Sequence, residues 1–502
     1  MNKLALPILF IIFWVFIVAM QLHNVFSATM PFWYDPARDM LMGLDNLHKF
    51  SLIGPPSGIS GIFYGPYWIW LLSFGEIISK DPSVVNFIVN TLPYLILLPI
   101  GLYLFVREKV FDTFTGILLW VAFAYAFSGY MSSIWNPNLA PLFYLYAIYF
   151  LLSLYSQKSP RRSIVYTFLA GILAGLALNF QISFSVGFVL GSFLYLIIAS
   201  LIAHGKKIKR KDLLILFQRL LAFLLGIVFM FVPFLLFEVR HGFMQTKVAI
   251  NAFLKGGGVV VLHGLSKTDI LWSYFGRVGT LLFISQYILV PLIGFLLLVI
   301  AFLYSKKKMK FSAVDNNVII LLACITVGVL GIYLSAKNPI WPYHFIGVEI
   351  VALLLVSFIL SKIKMLRFVL FAWIIYLTFV QMQGFMQSFQ FNRLKQPSLY
   401  TKEQEVKTII KDAGKTNYAV FAYNPSIYTY DYSYLFRWLA NKDFSYDPGF
   451  IQRKKITYLI IPAGDKAKIE DFIHYRTPEK EYKTARTWNT PDGTVILKRI
   501  AL

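Results

Sequence analysis

Residues 4–22 read LALPILFIIFWVFIVAMQL, and residues 32–41, shortly afterwards, read FWYDPARDML. The first stretch has no charged residue and is long enough to cross the roughly 30 Å hydrocarbon core of a bilayer as a helix. The second stretch is rich in aromatic side chains and carries two aspartates and an arginine. This order predicts a polar loop lying close behind a membrane helix.

The composition of the whole chain agrees with a membrane protein. Of 502 residues, 58% are hydrophobic and only 14% are charged, and the mean hydropathy is +0.65. A water-soluble fold cannot cover so much apolar surface with so little charge, so we predict an α-helical polytopic membrane protein. Cys324 is the only cysteine, which excludes an intramolecular disulfide.

The net charge of +23 would suggest a nucleic-acid partner in a soluble protein. Here the basic residues gather in short clusters between apolar runs, where they set orientation and contact anionic lipids. We therefore expect membrane lipids as partners and no nucleic acid.

Apolar runs of membrane-spanning length predict eleven transmembrane helices. They lie near residues 4–22, 83–104, 111–129, 138–156, 164–181, 184–203, 213–237, 286–304, 317–335, 343–361 and 368–385. A signal peptide can resemble the first run, but ten further spans follow, so we interpret it as an uncleaved helix.

Four basic clusters fix the orientation, because short loops rich in Lys and Arg stay in the cytoplasm. The clusters occupy residues 158–162, 206–211, 306–310 and 362–367. With eleven spans and a cytoplasmic N terminus, all four lie inside. If the ambiguous apolar stretch at residues 62–78 also crossed, every cluster would switch sides. We therefore predict that it is a juxtamembrane or re-entrant segment.

This topology divides the chain into a membrane domain, residues 1–385, and a small extracytosolic α/β domain, residues 386–502. Helices are predicted near residues 402–412 and 467–473, and strands near 418–423, 456–461 and 494–498. The first outer loop covers residues 23–82. We expect a multi-pass protein of the cell (plasma) membrane, with its chemistry on the outer face.

Asp35, Arg38 and Asp39 are the leading candidates for chemistry in the first outer loop. A carboxylate can act as a general base, and a cation can neutralise a phosphate leaving group. The alternative is structural, with Asp35 as the N-cap of a helix and Pro36 at its first position. The two interpretations are compatible.

Other candidates follow at the outer ends of predicted spans. Tyr64 and Tyr67 lie in a Gly-Pro-rich segment and offer either stacking faces for sugars or an aromatic belt at the membrane interface. Glu238, Arg240 and His241 can form an anion site or simply stop a helix. A further pair of polar residues lies near the tenth span. They are Tyr343 and His344.

These features together resemble the GT-C glycosyltransferases of the dolichyl-phosphate-mannose protein mannosyltransferase and aminoarabinose transferase type, the bacterial family 39-like proteins. The resemblance covers roughly residues 1–385. The family's first-loop pattern is Asp-Glu-x-Arg-Tyr, which Asp35 and Arg38 match, whereas Pro36 and Asp39 replace the Glu and the Tyr. The late family segment reads Arg-Tyr or His-Tyr, which is reversed here.

The resemblance implies an inverting transfer of one monosaccharide from a polyprenyl-phosphate carrier to a lipid, glycan or protein acceptor on the outer face. Asp35 would be the catalytic base, with Asp39 as a replacement for the missing Glu. The implied phosphate-binding residues are Arg38, Arg240, His241 and His344. The implied substrate-binding residues are Tyr64, Tyr67, Glu238 and Tyr343.

The requirement for a cofactor stays open, with a divalent metal as one option. Two other classes of function also remain. A transporter or flippase for lipid-linked sugars would carry paired half-helices or ionisable groups near mid-bilayer. A non-catalytic glycan-assembly protein would tolerate the loss of Asp35.

Overall fold

The protein was analysed as a computed structural model, which is mostly helical. The structure describes residues 5–27, 29–57, 61–154, 159–204, 209–255, 266–283, 312–335, 340–362, 364–390, 397–424, 429–440 and 453–502. The predicted span at residues 286–304 and the basic cluster at 306–310 lie outside these ranges, as do parts of the clusters at 158–162 and 206–211.

Seventeen α-helices of the membrane region lie in the described ranges. In chain order they are α1 (Ala5–Phe26), α2 (Tyr34–Asn46), α3 (Tyr67–Ile78), α4 (Pro82–Asn86), α5 (Leu92–Arg107), α6 (Thr113–Ala126), α7 (Ser128–Met131), α8 (Ala140–Ser153), α9 (Pro160–Phe180), α10 (Ile182–His204), α11 (Arg210–Met230), α12 (Val232–Arg240), α13 (Met244–Lys255), α14 (Lys267–Phe283), α15 (Ala313–Ser335), α16 (Val348–Lys362) and α17 (Lys364–Gln390). A π-helical turn, Phe87–Thr91, joins α4 to α5.

Seven stretches of helix in the described ranges are long and apolar enough to cross a membrane. They are α1, α4–α5, α9, α10, α11, α15 and α17, and each coincides with a predicted span. Three other predicted spans correspond to shorter helices, α6, α8 and α16, of 14, 14 and 15 residues. The chain is therefore a polytopic membrane protein.

The structure agrees with the prediction for one ambiguous segment and differs from it in one predicted span. The stretch at residues 62–78 contains α3, whose 12 residues are too short to cross a bilayer, as predicted for this segment. The predicted span at residues 213–237 is broken, because α11 ends at Met230 and α12 starts at Val232. Pro233 lies in the first turn of α12, where its ring cannot continue the preceding helix.

Glycines allow the membrane helices to approach each other closely. A Cβ atom on Gly171 of α9 would overlap the carbonyl of Phe223 in α11, and one on Gly226 would overlap the carbonyl of Phe168. A Cβ atom on Gly191 of α10 would lie 2.5 Å from the carbonyl oxygen of Cys324 in α15. Small residues of this kind are how helices pack where lipid removes the hydrophobic driving force.

The C-terminal region forms a small sheet with helices on both faces. Its elements are α18 (Leu399–Ala413), β1 (Tyr418–Ala422), α19 (Tyr430–Ala440), β2 (Ile456–Ile461), α20 (Lys466–Arg476), β3 (Tyr482–Asn489) and β4 (Val495–Ala501). The strand order is β1-β2-β4-β3, with β1 and β2 parallel and the other pairs antiparallel. The sequence predicts α18, α20 and three of the strands, but not α19 or β3.

The two faces of this sheet have different neighbours. Alternate residues of β1 point to opposite faces, as pleating requires. Val420 belongs to the apolar cluster that includes α18, α19 and the membrane helices, whereas Phe421 packs with Phe472 of α20 in a separate cluster. One face of the C-terminal domain is thus continuous with the core of the membrane region.

Candidate functional site

Asp35 lies in the first turn of α2, at the outer side of the predicted topology. The helix begins at Tyr34, and its N-cap, Trp33, makes no side-chain capping hydrogen bond. The interpretation of Asp35 as the N-cap is therefore wrong, and Pro36 is the third helical residue. The carboxylate of Asp35 instead forms an ion pair of 2.9 Å with Arg38, and 34% of its side chain stays exposed.

Arg38 is held in place from its other side by Asp39. Its Nε and Nη2 atoms donate to one oxygen of Asp39 at 2.9 and 2.7 Å. The second oxygen of Asp39 accepts the indole N–H of Trp68 in α3 at 2.9 Å. A continuous chain of polar contacts therefore runs from Asp35 through Arg38 and Asp39 to Trp68, and it joins α2 to α3.

Asp39 is fully buried, and each of its oxygens accepts a hydrogen bond within this chain. Burial raises the pKa of Asp39 to about 6, although the neighbouring Arg38 opposes this shift. A carboxylate enclosed in this way does not contact an acceptor. The burial of Asp39 favours a role in orienting Arg38, and its catalytic role stays a prediction.

Tyr64 and Tyr343 lie within electrostatic range of this group. Burial raises the pKa of Tyr64, and the charges of Tyr343 and Asp39 raise it further, so the phenol stays protonated and can donate a hydrogen bond. Burial likewise raises the pKa of Tyr343, with a contribution from Asp35. Both phenols therefore lie near enough to Asp35 for its charge to raise their pKa, and their role at a substrate stays a prediction.

Aromatic rings continue from Tyr343 across the outer end of the helices. The ring centre of Trp135 lies 5.6 Å from that of Tyr343 and 6.5 Å from that of Trp33, both in edge-to-face geometry. On the other side of Asp35, the guanidinium of Arg38 lies 5.5 Å from the ring centre of Tyr34. The exposed part of Asp35 is thus flanked by aromatic side chains.

His344 cannot serve as a cation near neutral pH. Burial lowers its pKa to about 4, so the ring is neutral at pH 7. Its Nδ1 atom accepts the backbone N–H of Trp341 at 3.1 Å, which ties the ring to its own turn. A neutral ring whose Nδ1 atom accepts still has an Nε2–H donor, so the role of His344 at the donor phosphate stays a prediction.

Glu238 is engaged in capping the next helix. It accepts the backbone N–H groups of Gln245 at 3.1 Å and Thr246 at 2.7 Å, and also the hydroxyl of Thr246 at 2.6 Å. Burial alone would raise the pKa of Glu238, but these hydrogen bonds outweigh it and lower the pKa. This geometry favours a structural role at the start of α13 over substrate contact.

Arg240 and His241 are both exposed at the end of α12. His241 stacks on Phe237, with 4.0 Å between ring centres, and its Nδ1 atom lies 2.8 Å from the carbonyl oxygen of that residue. Within the described ranges, no contact joins Arg240 or His241 to the Asp35 group. Their predicted role at a phosphate stays a prediction.

The Gly-Pro-rich segment of the first loop packs against the membrane helices. The backbone of Tyr64 pairs with Gly54 and Pro55 at 2.8 and 2.9 Å. A Cβ atom on Gly65 would overlap the side-chain oxygen of Asn179 in α9, so only glycine permits this approach. Tyr67 instead packs on Trp70, with ring centres 5.2 Å apart, away from the Asp35 group.

Several residues that hold the Asp35 group, or that form a second buried polar group, are not singled out by the sequence. Trp68 holds Asp39, and Lys402 of the C-terminal domain reaches the first loop. Arg277 of α14 pairs with the buried Glu349 at the start of α16, and Tyr130 also donates to Glu349, at 2.7 Å. Glu349 was the one available signal, because it is a carboxylate at the start of a predicted membrane span.

A divalent metal would need several oxygen or nitrogen ligands converging on one point. Within the described residues, no group of three or more His, Cys, Asp or Glu side chains is arranged to hold a metal ion. Asp35 and Asp39 are separated by the guanidinium of Arg38, which already occupies the space between them. These residues do not fit a metal site, and no step is assigned to a metal.

Comparisons with known proteins identify the fold of this chain. No protein-family model matches the sequence, and no curated protein matches it. Among solved structures, the chain is similar to ArnT from Cupriavidus metallidurans, an aminoarabinose transferase. Its apo form aligns with a TM-score of 0.60 at 12% identity, and its complex with undecaprenyl phosphate with 0.63 at 11%. The chain adopts the GT-C fold.

Both alignments cover 97% of this chain and 97% of ArnT, so the GT-C likeness extends beyond residue 385 into the C-terminal domain. The apo oligosaccharyltransferase of Archaeoglobus fulgidus aligns with a TM-score of 0.49 at 14% identity, over 88% of this chain and 64% of that one. The alignments with ArnT confirm, for the fold, the GT-C resemblance predicted from the sequence.

Proposed function

We propose that this protein is a membrane glycosyltransferase, which moves a monosaccharide from a polyprenyl-phosphate carrier to an acceptor on the extracytosolic face. The observation that carries the proposal is the state of Asp35. It is a partly exposed carboxylate whose orientation is fixed by Arg38, and Arg38 is itself fixed by the buried Asp39. The GT-C fold and the undecaprenyl phosphate bound to ArnT support the choice of donor class.

In the proposed reaction, the acceptor oxygen attacks the anomeric carbon of the sugar from the face opposite the phosphate. The new bond between carbon and the acceptor oxygen forms as the bond to the phosphate oxygen breaks, which inverts the configuration. Asp35 takes the proton of the acceptor hydroxyl, and polyprenyl phosphate leaves with the bonding electron pair. A base held at hydrogen-bond distance from its proton contributes about 10² to 10⁴ in rate.

The other residues of the group have supporting roles. Arg38 orients Asp35 in this proposal. A role of Arg38 at the departing phosphate would require its guanidinium to leave Asp35, because inversion places the base and the phosphate on opposite faces of the sugar. Tyr64 and Tyr343 are proposed to donate hydrogen bonds to the sugar. The phosphate roles predicted for Arg240 and His241 are given no step in this proposal, because no described contact joins them to the Asp35 group.

The reaction requires a particular orientation in the membrane. We propose that the protein lies in the plasma membrane with its N terminus in the cytoplasm and its C-terminal domain outside. All four clusters of Lys and Arg lie on the cytoplasmic side of the membrane in the predicted topology, which supports this orientation. A cysteine-labelling map on a Cys324→Ala background, with an impermeant reagent, tests it.

The function is tested with purified protein in detergent and a panel of radiolabelled polyprenyl-phosphate sugars. Turnover of at least one donor by the native chain is expected, with loss of turnover but retained donor binding in Asp35→Asn. Asp471→Asn is the matched control, because it removes an exposed carboxylate on α20.

The other outcomes separate the alternatives. Turnover that survives in Asp35→Asn would move the base elsewhere. Donor binding with no turnover across all donors and acceptors, combined with movement of donor across reconstituted vesicles, would replace the transferase with a transporter. Binding with neither turnover nor transport would indicate a non-catalytic assembly protein.

A further inference from the structure

The C-terminal domain contacts the segment that leads into α2. The backbone N–H of Leu399 donates to the carbonyl of Met30 at 2.9 Å. Three residues further along α18, the ammonium of Lys402 donates to the carbonyl of Phe32 at 2.8 Å and forms an ion pair of 2.5 Å with Asp431 of α19. Lys402 therefore ties two elements of the C-terminal domain to the chain three residues before Asp35.

The same domain also contacts the far end of the loop. Arg437 of α19 forms an ion pair of 2.7 Å with Asp45, near the end of α2. The hydroxyl of Tyr434, also in α19, donates to the carbonyl of Lys80 at 2.8 Å, just after α3. Helix α19 thus spans α2 from one end to the other.

Aromatic contacts fill the middle of this interface. The ring of Tyr430 lies edge-to-face on Tyr34, with centres 4.9 Å apart, and Tyr434 lies 5.8 Å from Phe32. Tyr34 is the immediate neighbour of Asp35. Since edge-to-face pairs favour one relative orientation, these contacts fix the rotation of the first turn of α2.

The start of α2 needs this support because its own sequence supplies little. Trp33 provides no side-chain cap, and residues 30–33 are in neither helix nor strand. Lys402 and Asp431 are largely buried, with side chains 15% and 8% exposed. Buried opposite charges of this kind tolerate little displacement, because a separated charge stays desolvated and unpaired.

We infer that the C-terminal domain positions the candidate base, and that Lys402 is the positioning residue that sets the entry of the chain into α2. The inference rests on the proposed function of Asp35. Lys402 does not touch the substrate; it acts through the carbonyl of Phe32 and through α19. The domain is thus part of the catalytic assembly, whatever acceptor it also meets.

The test compares Lys402→Met with Lys407→Met, a change of the same charge on an exposed position of the same helix. Lys407 pairs only locally, with Glu403 at 2.8 Å. In Lys402→Met, kcat is expected to fall about 10² fold, because a displacement on the order of 1 Å costs this much. The Kd for donor is expected to change by less than about twofold, since no donor-binding residue is altered.

Two further readouts separate positioning from general stability. Lys402→Arg keeps the charge and the donors, so it is expected to recover most of kcat. Amide hydrogen exchange over residues 30–46 is expected to be faster in Lys402→Met, and unchanged over the same residues in Lys407→Met. Native exchange in this segment, or an unchanged kcat, would overturn the inference.

Two variants keep the test decisive if Lys402→Met does not fold. The pair Lys402→Met with Asp431→Asn leaves no unpaired buried charge, and Arg437→Met releases the opposite end of α2. Both are expected to lower kcat while donor Kd is preserved. If the native chain turns over no donor, the proposed function fails, whereas the exchange comparison still decides whether the domain holds residues 30–46.

Discussion

Two short charged segments have nearly the same chemistry, yet the fold uses them differently. Residues 35–39 and residues 238–241 each offer a carboxylate, an arginine and a third ionisable side chain. In the first, Arg38 links two aspartates, and Trp68 from α3 completes the group. In the second, Glu238 caps the adjacent helix, and Arg240 is exposed.

The difference lies in where the partners come from. The Asp35 group takes hydrogen bonds from α3 and packs under α19, so its geometry depends on the tertiary fold. The Glu238 group is satisfied within eight residues of sequence, as any helix-to-helix turn can be. Charged residues near a membrane surface become a candidate site when distant elements hold them in one arrangement.

The largest effect expected from this comparison is on turnover. Asp35→Asn removes the proposed base and is expected to lower kcat by about 10² to 10⁴ fold, while donor Kd is preserved. Single-turnover kinetics with labelled donor measure the chemical step directly. Asp471→Asn should match the native chain, and comparable losses in both variants would show that the effect is not specific to Asp35.

A second variant breaks the packing beneath the site. Gly65→Ala places a Cβ atom against the side-chain oxygen of Asn179, which must move together with its bond to the carbonyl of Gly175. Overpacking of this kind costs about 1–3 kcal/mol. A lower thermal midpoint in detergent is expected for Gly65→Ala.

Gly129→Ala is the matched control for that experiment, because nothing lies within 4 Å of the added Cβ atom. It should leave the thermal midpoint unchanged or raise it slightly, since alanine favours the helix. Equal midpoints for the two alanine variants would refute the close approach of the loop to α9.

A third prediction concerns pH. The pKa of Asp39 is raised to about 6 in the folded chain, above its value of 3.8 in an unfolded one. The folded state therefore binds this proton more tightly than the unfolded state does. The stability that the bound proton adds is present below pH 4 and is lost as the pH rises through 6. Relative to Asp39→Asn, the native chain should lose stability between pH 4 and pH 7. Parallel unfolding profiles of the two chains over this range would contradict the shift.

The smallest effects are expected in the second segment. Arg240→Ala should change stability by less than about 0.5 kcal/mol, as for other exposed side chains. Glu238→Gln should cost about 1 kcal/mol, because a helix cap is weakened. Donor KM and kcat should stay within about threefold in Arg240→Ala. A larger rise in donor KM would assign Arg240 to the donor phosphate and erase the contrast between the segments.

Much of the architecture follows from the sequence, because apolar length and basic clusters act locally. Seven of the predicted spans coincide with long apolar helices, and the juxtamembrane assignment of α3 fits its 12 residues. Within the C-terminal domain, the apolar strands β1 and β2 are correctly predicted. Strand β3 is missed because its residues are mostly exposed and polar. They lack the alternation of apolar and polar residues that is expected of a half-buried strand.

The site is less predictable, because its geometry depends on contacts between distant parts of the chain. Asp35 and Arg38 stand out by composition, but the burial of Asp39 depends on α3, and the neutrality of His344 depends on the helices around it. Helix α19 is missed because aromatic residues occupy every second position from Tyr430 to Trp438, an alternation typical of a strand rather than of a helix. Contacts between residues hundreds of positions apart leave no pattern in a single sequence.

The order of synthesis adds a consequence of the sheet topology. Strand β4, Val495–Ala501, lies between β2 and β3, so the sheet that supports α19 cannot close until these residues have been synthesised. The loop that carries Asp35 is synthesised before β4, yet α19 gains its final support only when β4 has joined the sheet. If Asp35 is the base proposed above, a chain that lacks β4 would hold the donor without an ordered site to use it.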